Sequence, residues 1–174
     1  MSWPNLFTIL RLLLTPILTI FLINQRLDLA TGIFFIAGIT DALDGFLARR
    51  LNQKSNLGAC LDPIADKVLL STSFVLLSWY HHIPYWLAVV VLSRDVFILM
   101  GALLLFLFNV RFEVKPSLLG KATTLSQIVT VMAVLINTQF QIPPFFLPLL
   151  FIFTLFLTIG SGLQYTYKAY KMFR

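Results

Sequence analysis

Residues 41–66 read DALDGFLARRLNQKSNLGACLDPIAD: four aspartates and two arginines placed between two apolar runs. Asp41, Asp44, Gly45 and Ala48 follow an i, i+3, i+4, i+7 spacing, so they share one face of the helix that enters the stretch. Gly58, Asp62 and Asp66 follow i, i+4, i+8 on the helix that leaves it. Two helices joined by a turn therefore bring four carboxylates together. Ionised and unpaired at the end of an apolar bundle, each would cost several kcal/mol, on the order of magnitude for buried charge. A divalent cation relieves that cost. Oxygen-only donors select Mg²⁺ or Mn²⁺, since no His or Cys stands ready to complete a zinc site. Four carboxylates suffice for a two-metal centre, the arrangement that binds nonbridging phosphate oxygens and supports in-line displacement. Gly45, Ala48 and Gly58 are small enough to admit a bulky ligand close to the backbone.

Outward from this stretch the chain is apolar. Of 174 residues, 59% are hydrophobic and 11% charged, and 17 are Phe; mean hydropathy is +0.89. No water-soluble domain of this size can hide so much apolar side chain, so an all-α integral membrane protein is expected. With about 20 apolar residues needed per span, the polar breaks leave six candidates, near 7–25, 29–48, 60–80, 84–108, 118–138 and 145–167. The short connections imply one compact domain over residues 1–174. Arg49, Arg50, Lys54, Arg111, Lys115, Lys121, Lys168, Lys171 and Arg174 fall on one side and only Arg26 on the other. The positive-inside rule then places both termini and the aspartates in the cytoplasm. A net charge of +6 distributed at helix ends points to membrane lipids or an anionic substrate, with no nucleic acid as partner. The N-terminus lacks a basic start and carries Arg11 inside its apolar run, so the first helix is expected to be retained. Cys60 is read as a packing residue, and Pro116 suits the first turn of the fifth helix.

A plainer reading makes the aspartates surface charges paired with Arg49, Arg50 and Lys67. Four carboxylates in two helical registers, with three small residues among them, favour a site. A cation-coupled transporter would need polar groups through the depth of the bundle, whereas the acidic residues cluster at one end. An intramembrane prenyltransferase would be expected to have a longer chain and another aspartate spacing.

Asp41-x2-Asp44-Gly45-x2-Ala48-Arg49-x8-Gly58-x3-Asp62-x3-Asp66 resembles, without departure, the signature of the CDP-alcohol phosphatidyltransferases. Pro4-Asn5-x2-Thr8-x2-Arg11 is similar to the N-terminal pattern of the members that make glycerophospholipids. The resemblance implies transfer of a phosphatidyl group from CDP-diacylglycerol to an alcohol, with release of CMP. It also implies a homodimer of six-helix subunits, with the active site facing the cytoplasm, here of a bacterial inner membrane. It assigns Asp41, Asp44, Asp62 and Asp66 to the two-metal centre, Asp66 also to the proton of the attacking hydroxyl, and Gly45, Ala48, Arg49 and Gly58 to the CDP moiety. Asn5 and Thr8 are assigned to the nucleotide as well; Arg11 shares their helical face, where packing is the alternative role.

The acceptor is expected to be phosphatidylglycerol or glycerol 3-phosphate. In the family that the chain resembles, members using glycerol 3-phosphate usually have Arg-Glu at the start of the fourth span, a second arginine eight residues on and a Gly-Lys-x-Lys stretch before the fifth. Here stand Ser93-Arg94-Asp95, Ala102 and Gly120-Lys121-Ala122-Thr123, with Lys115-Pro116-Ser117 upstream. Two cations are absent from a phosphate pocket, which leans the reading towards phosphatidylglycerol. Arg94 is the candidate acceptor-phosphate ligand and Lys121 a second; an intramembrane Arg94–Asp95 pair that holds helices together is the other reading. His81-His82, in the outer loop, and the aromatics around Trp79, Trp86 and Trp3 read as interfacial residues.

Overall fold

The computed structural model describes the backbone of residues 3–51, 56–107 and 117–172, with side chains described for residues 10–40, 66–101 and 117–167. Six helices account for it: α1 (Trp3–Ile23), α2 (Leu27–Leu51), α3 (Asn56–Trp79), α4 (Tyr85–Leu107), α5 (Leu118–Asn137) and α6 (Phe146–Met172). No strand occurs among the described residues. Each helix matches one apolar run of the sequence, with α2 and α3 longer at the motif end than the apolar runs themselves. Charge ends a run of hydropathy without ending a helix, because Asp, Arg and Ala residues continue the backbone hydrogen bonding.

Each helix buries one stripe. Leu14, Leu18 and Leu22 of α1, Ala30, Phe34 and Ala37 of α2, and Leu70, Phe74 and Leu77 of α3 recur at three- or four-residue intervals and join Leu87, Val91, Val131, Val134 and Phe151 in one core. The helix pairs in contact are α1 with α2 and α3, α5 with α2, α3 and α6, and α4 with α3 and α6. The outer faces stay apolar: Phe97, Phe153, Phe156 and Leu163 are all exposed. Water would not tolerate so continuous an apolar surface, whereas hydrocarbon would. Among the described residues, Leu118–Asn137 and Phe146–Tyr167 are each long and apolar enough to cross a bilayer.

Threonines seal the contact of α5 with α6. Thr123 donates to the carbonyl of Leu157 (3.0 Å), and Thr130 and Thr154 share a hydrogen bond of 2.8 Å. Interhelical hydroxyls of this kind bind helices where water is absent.

At the end away from the motif, tight turns join α1 to α2 and α3 to α4. They use Gln25 (φ 56°) and His81 (φ 61°) in the left-handed region. The Arg26 N–H reaches back to the Phe21 carbonyl (2.9 Å) and the His82 N–H to that of Leu77 (2.8 Å), closing both helices as glycine would. Trp79, Tyr85, Trp86, Phe140 and Phe145 are exposed at this end, as expected of an interfacial belt; Trp3 lies outside the described side chains. The fifth helix begins two residues beyond Pro116, not on it. Ser117 is its cap, its Oγ accepting from the Gly120 N–H at 3.0 Å, and a capping hydroxyl satisfies an amide that a first-turn proline would only have removed.

Candidate active site

Arg11 continues the buried leucine stripe of α1, three residues before Leu14. A guanidinium there is held inside the bundle, and it is 1% exposed. Such burial requires a counter-charge. Asp66 of α3 supplies it, its Oδ1 accepting from the Arg11 Nη1. Asp66 is itself 35% exposed, so its carboxylate is both anchored and accessible. A cavity of about 50 Å³ opens beside the pair, lined by Arg11, Asp66, Leu69 and Leu70 together with Phe34, Ala37 and Gly38 of α2 and Thr124 and Ile128 of α5.

Helical register relates this cavity to the rest of the motif. Position 41 lies four residues beyond Ala37 and position 44 seven beyond it, in the stripe that Ala30, Phe34 and Ala37 begin; positions 58 and 62 lie eight and four residues before Asp66. The side chains of Asp41, Asp44, Gly45, Ala48, Arg49, Gly58 and Asp62, and those of Asn5 and Thr8, are outside the described residues. Asp66 is the one motif carboxylate among them.

A second polar cluster begins one residue along α3. Lys67 turns away from Asp66 towards α4, where its Nζ meets Asp95 Oδ1 at 2.6 Å. Arg94 Nη1 meets the same oxygen at 2.8 Å. Its Nη2 donates to Ser161 of α6 at 2.6 Å, and its guanidinium carbon lies 5.8 Å from the centre of the Tyr165 ring. Among the described residues two cations thus share a single carboxylate, leaving one net positive charge, and the buried Arg94 Nε has no hydrogen-bond partner. The Arg94–Asp95 pair anticipated as one alternative is present within α4, and it joins helices through Lys67 of α3 and Ser161 of α6. Lys121, by contrast, is exposed in the first turn of α5 and forms no ion pair among the described residues.

Gly120 adjoins this cluster. A Cβ there would stand 3.0 Å from the Tyr165 hydroxyl and 3.2 Å from the capping Ser117 Oγ, so glycine permits the close approach of α5 and α6. Two features escaped sequence reasoning. Lys67 was weighed only as a partner for the aspartates, and Arg11 as a nucleotide or packing residue. Its place on the leucine stripe of α1 was the available signal, since a cation in that register needs a buried partner.

The family model described as CDP-alcohol phosphatidyltransferase matches residues 1–160. The chain is 34% identical over 190 residues to a human cardiolipin synthase (CMP-forming), covering 97% of this chain and 62% of that protein. It is 34% identical over 185 residues to a CDP-diacylglycerol–glycerol-3-phosphate 3-phosphatidyltransferase of Bacillus subtilis, covering 97% and 95%. With the enzyme of the same name from Aquifex aeolicus identity is 33%, over 99% and 98%. The chain thus spans about three-fifths of the human relative and nearly all of the bacterial ones. Matched along almost its whole length and carrying the complete aspartate signature, the chain belongs to the CDP-alcohol phosphatidyltransferase family, and it is a membrane protein.

Proposed function

We propose that the protein transfers the phosphatidyl group of CDP-diacylglycerol to a glycerol-type alcohol and releases CMP. The observation that carries this reading is Asp66, anchored by the buried Arg11 yet open to a cavity that also reaches Gly38, one turn before Asp41 on α2. An acceptor hydroxyl oxygen attacks the phosphatidyl phosphorus as the bond from that phosphorus to the CMP oxygen breaks. CMP leaves with the electron pair, and the hydroxyl proton passes to Asp66. Arg11 holds the Asp66 carboxylate in position for that transfer.

The donor set fits Mg²⁺ or Mn²⁺: the motif offers carboxylate oxygens alone, and the carboxylate of Asp66 is open to the cavity. Asp41, Asp44, Asp62 and Asp66 would hold the ions, which when bound offset charge on the phosphate oxygens and the leaving group. Gly45, Ala48, Arg49, Gly58, Asn5 and Thr8 are assigned to the CDP moiety by their match to the family signature. The proposal includes six membrane spans in a single domain, a cytoplasm-facing site in a bacterial inner membrane, and a homodimer.

Phosphatidylglycerol is the preferred acceptor, which makes the activity that of a cardiolipin synthase, as in the name of the human relative. The single net charge of the Lys67–Asp95–Arg94 cluster matches a phosphodiester, which carries one negative charge. Glycerol 3-phosphate, a dianion, would keep an unbalanced charge there. It remains the second reading because relatives named for it are equally similar. Arg94 is the proposed ligand of the acceptor phosphate through its unpartnered Nε–H, with the exposed Lys121 as the second candidate.

Purified protein in detergent with Mg²⁺ or Mn²⁺ and CDP-diacylglycerol should release CMP when phosphatidylglycerol is added. Release with glycerol 3-phosphate alone would reverse the acceptor assignment, and release with neither would refute the function. Asp66→Asn should still bind CDP-diacylglycerol but not turn it over.

A further inference from the structure

Gln127 lies midway along α5 and is 0% exposed, yet neither its Oε1 nor its Nε2 has a hydrogen-bond partner among the described residues. The polar groups around it on α5 are satisfied without it. Thr123 donates to the carbonyls of Leu119 and Leu157, Thr124 to that of Gly120, Ser126 to that of Thr123, and Thr130 to that of Ser126. Buried amides with both ends unsatisfied are rare in native interiors and mark the place of a ligand or an ordered water.

Its position identifies the ligand's level. Successive residues turn about 100° around a helix, which sets Gln127 roughly 40° from Thr123, facing α6, and roughly 60° from Thr124, which lines the cavity with Asp66 and Arg11. Helical side chains lean towards the helix N-terminus, so the amide overlies the Thr123–Thr124 turn, level with that cavity. Gln127 is not itself among the residues that line the cavity, whose α5 wall is Thr124 and Ile128, so the amide reaches the space only by a change of its side-chain torsions. At about 50 Å³ the space takes a hydroxyl-sized end of a molecule and not a whole headgroup.

We propose that Gln127 determines acceptor specificity by exchanging hydrogen bonds with the secondary hydroxyl of the acceptor glycerol, adjacent to the primary hydroxyl that attacks. The assignment rests on the function proposed above. An amide offers a donor and an acceptor side by side, and an alcohol needs one of each; a phosphate or carboxylate would leave the amide oxygen unpaired. Phosphatidylglycerol and glycerol 3-phosphate both carry this vicinal hydroxyl. A group that grips it necessarily stands close to the residue that takes the neighbouring proton, Asp66.

The test compares each acceptor with its analogue lacking the secondary hydroxyl: phosphatidylglycerol against phosphatidyl-1,3-propanediol, and glycerol 3-phosphate against 3-hydroxypropyl phosphate. The pair that turns over identifies a lipid or a free phosphate as the source of the glycerol. Wild-type kcat/KM should favour the glycerol form by about 10- to 100-fold, the range for one buried hydrogen-bonded pair. Gln127→Met, similar in length and apolar, should bring that ratio to within about threefold of unity, chiefly by losing the glycerol substrate. Gln127→Asn, which withdraws the amide by one methylene, should also lower the ratio and serves if the Met variant does not fold. A wild type that does not discriminate, or variants that keep the ratio, would overturn the assignment and leave the amide to an internal water. No CMP release by the wild type with any acceptor would overturn the function and the assignment with it.

Discussion

Replacing Asp95 by Asn leaves Lys67 and Arg94 facing each other without their shared carboxylate, and the local charge rises from one to two. Arg94 and Asp95 are both buried, so their charged hydrogen bond at 2.8 Å is worth about 3 kcal/mol, the upper end for such bonds. Lys67 is 29% exposed, and solvent reduces its 2.6 Å contact to about 1.5 kcal/mol. Asp95→Asn should therefore cost roughly 4–5 kcal/mol, in line with breaking a buried ion pair. At about 2–4 °C per kcal/mol for a chain of this size, the midpoint of thermal unfolding should fall by about 10 °C or more. Adding Lys67→Met removes the surplus cation and should restore about a third of the loss. The assay is the melting of detergent-solubilised protein followed by size-exclusion recovery of the folded form. An Asp95→Asn midpoint within about 2 °C of wild type, or a double variant no more stable than the single one, would refute the charge balance derived for this cluster.

Arg11→Met keeps the packing of α1 but removes the buried guanidinium from Asp66; kcat for CMP release should drop about 10- to 100-fold, the equivalent of one charged hydrogen bond, with Arg11→Lys retaining part of the rate. Gly120→Ala sets its Cβ 3.0 Å from the Tyr165 hydroxyl, which must give by a few tenths of an ångström; an overpacking cost of about 1–3 kcal/mol, less the roughly 1 kcal/mol that alanine gains in a helix, leaves a net loss of up to about 2 kcal/mol, which Tyr165→Phe in the same chain should relieve, and additive losses would contradict the contact. Burial, and then the charge of His81, hold His82 below the ordinary imidazole range. The folded protein thus binds fewer protons than the unfolded chain just below pH ~6.5. Stability from this group is complete above that pH and declines as the pH falls; His82→Asn should flatten the acid limb of the melting profile. Chelation of divalent cations should stop CMP release, and Mg²⁺ or Mn²⁺ should restore it; activity unaffected by a strong chelator would remove the carboxylate centre from the mechanism.

Helix number and the identity of the motif were legible because both are local. Apolar runs near span length set the helices, and the i, i+3, i+4 intervals of Asp41, Asp44, Asp62 and Asp66 place them on two stripes whatever surrounds them. Backbone hydrogen bonding and side-chain direction repeat with the chain itself, so spacing alone carries that information. The start of α5 at Leu118 agrees with the apolar run near 118–138, but Pro116 stands ahead of the first turn expected of it, because the hydroxyl of Ser117, bonded to the Gly120 amide, makes Ser117 the cap.

Pairing across the bundle obeys no such local rule. Arg11 finds Asp66 55 residues away, Lys67 finds Asp95 28 away, and Arg94 finds Ser161 67 away. Each partner was visible as a charge or hydroxyl, but helix rotation and packing decide which of several candidates it meets. The sequence by itself determined the membrane class, the helices and the family signature, because composition and periodicity suffice for them. Only the tertiary structure put a cation behind Asp66, made one carboxylate serve two cations, and left Gln127 buried without a partner among the described residues, because those facts depend on which faces close on one another.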